Sequence, residues 1–436
     1  MADGRSMSSR ERLLAAIRGG EPDRVPISPR MHPFLLDYYG CACWLHYLKA
    51  QAEFDFDPII LIQPWHHVRP DILPNFLAYP LEADYTLLPE VTTTMTVTPG
   101  KDGSYRISRT FQTPAGTLHD EIEKPPQRSS YGIDPTPTIV EPLLKDEGDL
   151  AALPCLFPGP DRLDMADLEE IKQAVGERGL VEVQVDSAID QRAGDALGLS
   201  EIMMASIQNP AFVHKLLRVC QDQVLKETRA VLEAGAPMIF ASWFYASMSA
   251  GWGPAHHREF FLPLLEEHVA LVHSYDAIYH YYDDGRFMAN LDAVVGAGVD
   301  MISTLPGPPM GDVDLAEVKA RVGKRVCLKG NVDLLYVLKD GTPADVDEAV
   351  RKAIQAAAPG GRYILATSDA VRDGTPPENL HAFCAAGRKY GDYRHLSSPP
   401  RSGGFRDSHL SSPPRSGGFR DSHLSSPPRS GGFRDS

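Results

Sequence analysis

The chain has 436 residues, 43% of them apolar, and a formal net charge of -15. That is enough apolar sequence for a full globular core, and an acidic chain without a Lys/Arg-rich run excludes a phosphate backbone as the natural partner. No stretch approaches the roughly 20 apolar residues of a membrane span, and "MADGRSMSSRERLL" lacks the apolar core of a secretory signal, so a cytoplasmic location is expected.

In chain order, "SSRERLLAAIRGGEPDRVP" carries a Ser cap, a short apolar-periodic helix and a Gly-Gly stop, and predicts a helix leading into the domain. Cys41 and Cys43 follow in "GCACW". A C-x-C without a second pair is a weak metal signal and reads as packing or an incidental surface pair; with Cys155, Cys220, Cys327 and Cys384 scattered along the chain, all six cysteines are expected to be reduced. "PIILIQP" (58–64) predicts a strand. Residues of about 85–125 alternate β-branched and polar side chains around the turns "PGKDG" and "TPAG", which predicts an inserted antiparallel β-hairpin region.

From about residue 165 the pattern changes to short apolar runs separated by long helical stretches. The runs at 180–186, 237–243, 277–283, 299–304, 325–331 and 362–369 predict strands, and with 58–64 they suit an α/β fold of the (β/α)8 TIM-barrel type. No Gly-x-Gly-x-x-Gly follows the first strands, against a dinucleotide fold. Residues 1–394 read as one such domain. Residues 395–436 are three identical copies of "HLSSPPRSGGFRDS", too poor in large apolar groups to offset chain entropy, and predict a disordered tail. A duplication without function is the plainer reading of the repeats, a peptide-docking role for "SPPR" the alternative. Each copy carries two Arg and one Asp, so the body alone is about -18.

In such a barrel the active site lies at the C-terminal strand ends. Those ends bear Asp186 and Asp190, Trp243 and Tyr245, the Tyr282-Asp283-Asp284 group preceded by His280, Asn331 and Asp333, and Ser368 with Asp369. Each carboxylate alone is also what a loop start ordinarily carries; their convergence from several strands is the signal. A site of His280 and Asp284 is chemically competent for zinc or iron, and equally for acid-base work or for hydrogen bonds to substrate. The paired histidines His66/His67 and His256/His257 point apart within each pair, and solvated or helix-capping roles are expected of them. Trp65, Trp243, Phe244, Tyr245, Trp252, Tyr281 and Tyr282 suggest either a pocket for a planar organic molecule or ordinary barrel packing.

Through "RERLLAAIRGGEPDRVP", "GLSEIMMASIQNPAFVHKLL", "HYYDDGRFMANLDAVVGAGVDMIS", "LKGNVDLLYVLKDGTPADV" and "TPPENLHAFCAAGRKYG", the chain resembles the uroporphyrinogen decarboxylase superfamily over residues 8 to about 394. That resemblance implies a TIM barrel, a homodimer, and either tetrapyrrole decarboxylation or zinc-dependent, corrinoid-linked methyl transfer. The decarboxylase branch has an Arg-rich segment after the first helix; here "VPISPRMHPFLLDYYG" offers Arg30 and His32. The methyltransferase branch has His-x-Cys-Gly where this chain has Tyr282 and Asp284 before Gly285, and a late Cys near Ser368 or Asp369. Zinc is thus implied by the resemblance, but the thiolate ligands are absent.

The leading expectation is a demethylase-type methyltransferase that passes a methyl group from a small methoxylated or methylated donor to a corrinoid (cobalamin) on a separate protein. His280, Tyr282, Asp283, Asp284 and Asp186 are its catalytic candidates. Arg30, Trp243, Tyr245, Asn331, Ser368 and Asp369 are its substrate-binding candidates. The alternatives are a lyase or decarboxylase on a small carboxylic acid, with Asp186 or Asp190 stabilising a developing cation and Arg30 holding a carboxylate, and a non-catalytic binding protein on the same barrel.

Overall fold

A computed structural model describes residues 6–64, 76–77, 80–81, 83–126 and 135–396. Seven parallel strands form one sheet: β1 (Ile59–Ile62), β6 (Leu180–Gln184), β7 (Met238–Ser242), β8 (Ile278–Asp283), β9 (Met301–Thr304), β10 (Cys327–Val332) and β11 (Tyr363–Thr367), hydrogen-bonded in that order. All seven apolar runs singled out in the sequence are strands. Four others, β2 (Thr92–Pro99), β3 (Tyr105–Thr113), β4 (Gly116–Lys124) and β5 (Thr138–Glu141), form a separate antiparallel sheet in sequential order. The first three are the predicted hairpins. β5 lies beyond them and has too little alternation in "TIVE" to be recognised alone.

The expectation of eight full strands is corrected. In the eighth place the described residues show a single parallel bridge between Ile27 and Leu365. Leu365 N donates to Pro26 O and Ser28 N to Leu365 O, while Asp57 N donates to Ile27 O just before β1. Pro26 supplies no donor, which limits this segment to a bridge.

The N-terminal helix, Ser9–Arg18, begins with a capping box between Ser8 and Glu11 and ends at Gly19, whose φ of 93° favours glycine. Its Leu13, Ala16 and Ile17 pack on Leu180, Met238 and Ile364, closing the N-terminal end of the sheet. Asp57, fully buried, fixes this arrangement: its carboxylate accepts from Arg12 (2.6 Å), Arg24 (2.7 Å) and Ile27 N (2.9 Å). With that end sealed by apolar side chains, the polar inward-facing residues gather toward the C-terminal ends of the strands.

The predicted helical stretch 200–235 is two helices, Leu199–Gln208 and Pro210–Glu233, divided where Asn209 accepts from Phe212 N to cap the second. No helix among the described residues is long and apolar enough to cross a membrane. Trp65, His66 and His67, and the repeats beyond Leu396, lie outside the described residues.

Candidate functional site

Side chains alternate along a strand, so Glu182 on β6, Phe240 on β7, His280 and Tyr282 on β8, Ser303 on β9 and Lys329 on β10 share the inner face. Glu182, Phe240, Tyr282, Ser303 and Lys329, with Arg30 and Asp369, line a narrow cavity of ≈ 10 Å³. That is room for about one water molecule, or for the tip of a substituent.

At its floor, His280 Nδ1 lies 2.7 Å from Glu182 Oε2 and its Nε2 lies 2.7 Å from Ser303 Oγ. Burial raises the Glu182 pKa, but His280, Lys329 and Arg30 outweigh it, and the carboxyl is held below its ordinary value. Burial lowers the His280 pKa more than Glu182 restores it. The imidazole is therefore neutral, donating from Nδ1 to Glu182 and accepting at Nε2 from the Ser303 hydroxyl. Lys329 is also lowered by burial, against the pull of Glu182.

At the mouth, the Tyr282 hydroxyl donates to Asp369 Oδ1 at 2.8 Å and lies 3.2 Å from Asp284 Oδ2. One phenol carries one hydrogen. The second contact is satisfied when Asp284 holds a proton and donates it to the phenol oxygen. Burial, with the charge of Asp369 adding to it, pushes the Asp284 carboxyl up to about 7, which keeps it substantially protonated at neutral pH. The other Asp284 oxygen, Oδ1, is buried without a partner, as is Arg30 Nε. The Arg30 guanidinium lies 5.0 Å from the ring centres of both Phe240 and Tyr282 and 3.7 Å from Asp369. Burial works against its charge, but Tyr282, Asp369 and Glu182 more than compensate, and its pKa is raised.

The structure thus brings Arg30, His280, Tyr282, Asp284 and Asp369 together and places the other sequence candidates elsewhere. Asp186 accepts from Gln184 Nε2 (2.6 Å) and Ser242 N (3.0 Å), so both oxygens are engaged away from the cavity. Asp190 accepts from Ser242 Oγ, Phe244 N and Tyr245 N and pins the loop after β7; burial, aided by Asp186, raises it to about 7. Asp283 faces away from Tyr282 by strand alternation and accepts from Gly285 N. Trp243 points outward, donating to Tyr279 Oη and stacking on Tyr281, both fully buried among the helices. The Tyr245 ring packs against Gly194. Asn331 and Ser368 border a different cavity, of ≈ 340 Å³, beside the helices Leu315–Val322 and Pro343–Ala357. Asp333 caps the turn that follows β10. His257, expected to be solvated, is buried, and burial lowers it to about 4.

Glu182, Ser303 and Lys329 were not among the sequence candidates. They lie in mid-strand, and the signal that could have found them is a charged residue within an otherwise apolar run: "LVEVQ" and "VCLKG".

The proposed pair of metal ligands does not assemble. His280 has both ring nitrogens engaged, and it joins no group of three donors with Asp284 among the described residues. The residues at this strand end do not fit the thiolate zinc of the superfamily's methyltransferases, since Tyr282 and Asp284 stand where sulfur and imidazole would be needed.

Residues 193–390 match the family model of uroporphyrinogen decarboxylase (URO-D). Uroporphyrinogen decarboxylase of Synechococcus sp. (strain CC9902) is 30% identical over 197 residues, covering 44% of this chain and 51% of that protein. The enzyme of the same name from Synechococcus sp. (strain CC9605) is 29% identical over 191 residues, 42% of this chain and 50% of the other. This chain thus spans about half the length of these relatives. A longer match, at 27% identity over 311 residues, covers 66% of this chain and 83% of the uroporphyrinogen decarboxylase of Prochlorococcus marinus (strain MIT 9211). Among solved structures, a methyltransferase from Methanosarcina mazei superposes with a TM-score of 0.62 at 17% identity, over 88% of this chain and 99% of that one; a likeness at this identity speaks for the fold alone.

Proposed function

Starting from a chain that belongs to the uroporphyrinogen decarboxylase superfamily, we propose that it is an enzyme of the demethylase type, which removes a methyl group from a small methoxylated or methylated donor. The observation that carries this reading is the Tyr282 hydroxyl set between Asp369 and an Asp284 held at about 7. An ether oxygen losing its methyl group keeps the bonding electron pair and needs a proton. A carboxylic acid that is neutral near working pH and has one buried oxygen without a partner is suited to donate it. Solvent then reprotonates Asp284. Arg30, with its Nε unpartnered, would hold an anionic substituent of the donor beside the two rings.

The methyl acceptor in this proposal is a corrinoid on a separate protein, which supplies the nucleophile when it docks at the C-terminal strand ends. No step requires zinc. The narrowness of the cavity supports a donor whose reacting substituent alone enters, with the rest of the molecule toward the rim.

A second reading is decarboxylation of a small acid, favoured by one observation: Arg30 and Lys329 border the same cavity and could hold and polarise a carboxylate. One experiment separates the two. Purified protein is incubated with methoxylated carboxylic acids labelled with carbon-13 at the methyl and carboxyl groups, with and without cob(I)alamin. Loss of the labelled methyl and appearance of the free hydroxyl product, only with the corrinoid, is the expected result. Labelled carbon dioxide without corrinoid would establish the second reading and overturn the first.

A further inference from the structure

We propose that Cys41, Cys43 and His46 form a binding site for one thiophilic cation, zinc in the first instance, separate from the cavity between the strands. Among the described residues these are the three His, Cys, Asp or Glu donors that converge, with all ligand atoms within 4.8 Å of one another. Cys43 Sγ lies 2.9 Å from His46 Nδ1. The local chain explains the convergence. Gly40, at a φ of 78°, ends the helix His32–Tyr39, and the chain turns back through Cys41 into the helix Trp44–Phe54. Cys43 is the residue before that helix, yet its side chain makes no capping bond to the backbone. It reaches instead to His46, three residues on, where a helix brings side chains onto one face.

The donor set selects the ion. Two sulfurs and an imidazole suit zinc or another soft cation and do not suit calcium or magnesium, which take oxygen. Zinc bonded to sulfur at about 2.3 Å and to nitrogen at about 2.0 Å needs its ligand atoms a little under 4 Å apart. The observed cluster meets that with side-chain adjustments alone. All three residues are partly buried, so an ion can enter and water is partly excluded. The three deeply buried cysteines, Cys220, Cys327 and Cys384, contrast with them: burial pushes each thiol up to about 12. On binding, Cys41 and Cys43 each release a proton to solvent with no change of oxidation state, and a fourth position is left for water or another ligand. Tyr47, next to His46, has its hydroxyl 3.3 Å from Met31 N, the residue after Arg30. An ion here would therefore steady the segment that carries Arg30.

The test uses full-length protein, reduced and freed of metal, titrated with zinc against a chromophoric chelator and with cobalt(II) as a spectroscopic probe. The expected result is one equivalent per chain and a thiolate-to-cobalt charge-transfer band. Binding and band should be lost in a Cys41→Ser/Cys43→Ser double variant and kept in Cys155→Ser. Absence of the band in the native protein, or stoichiometric binding that survives the double substitution, would overturn the proposal. Alkylation of the native protein keeps the test independent of variant folding: zinc should protect Cys41 and Cys43 from iodoacetamide, as read by peptide mass, and unchanged labelling at both would overturn it equally.

Discussion

Asp284→Asn isolates the group on which the functional reading turns, and its effect can be read without knowing the substrate. Burial first and Asp369 second raise the Asp284 carboxyl from 3.8 to about 7. At about 1.36 kcal/mol per tenfold change in proton affinity, that is about 4 kcal/mol in favour of the protonated form in the folded protein. The sign follows from proton counting. Between about pH 4 and pH 7 the folded protein holds a proton that the unfolded chain has released, so stability falls as pH rises through this window and levels off above it. Asparagine carries no charge and can still donate to the Tyr282 oxygen, so the variant lacks this loss. It should match the native protein near pH 4 and exceed it above pH 7 by up to about 4 kcal/mol. At an unfolding entropy of roughly 2.1 cal/mol/K per residue, that is a Tm higher by about 5 °C for the folded body. Melting curves from pH 6 to pH 8.5, clear of the sequence pI of about 5.4, should show the gap widening by about 1–2 °C up to pH 8 and then holding. The exposed Asp161→Asn serves as control. A gap that is absent, or that narrows as pH rises, would refute the assignment of a raised pKa to Asp284.

Other consequences are as direct. Asp57→Asn leaves Arg12 and Arg24 without their shared buried carboxylate and should destabilise by about 3–5 kcal/mol in a denaturant titration. Tyr282→Phe keeps the ring under Arg30 but removes the hydroxyl that joins Asp369 to Asp284; turnover should fall roughly 10²–10⁴-fold with Tm nearly unchanged. Glu182→Gln removes the anion that supports both His280 and Lys329, so the His280 pKa should fall further, visible as loss of any imidazole titration by NMR above pH 5. Arg30→Met should raise KM for an anionic donor far more than it lowers kcat, with partial recovery in Arg30→Lys.

The parallel sheet was legible because β-branched, fully apolar runs such as "IILI" and "MIFAS" have few other uses in a chain of this length. The eighth strand place was not, because Pro26–Ser28 makes only a bridge and carries no periodicity. Strand ends located Tyr282, Asp284 and Asp369 correctly along the chain, but a run such as "HYYDDG" does not say which of its residues turn inward until the register with β7 and β9 is known. That register turns Asp283 and Tyr281 away from the cavity. The aromatic rim misled for the same reason: Trp243 and Tyr281 are large because they fill the layer between sheet and helices. Glu182 and Lys329 were hidden in mid-strand, where attention had gone to the ends. Cys41 and Cys43 were visible as a pair, but His46 acquires meaning only once a helix begins at Trp44.

The most direct test of the central claim, that Asp284 is the acid that protonates the leaving oxygen, is the pH dependence of corrinoid-dependent methyl loss for the native protein and Asp284→Asn. The account predicts a native rate that falls above about pH 7, as the acid loses its proton, and a slower variant whose rate no longer shows that fall. The same falling limb in Asp284→Asn, or an undiminished rate, would contradict it.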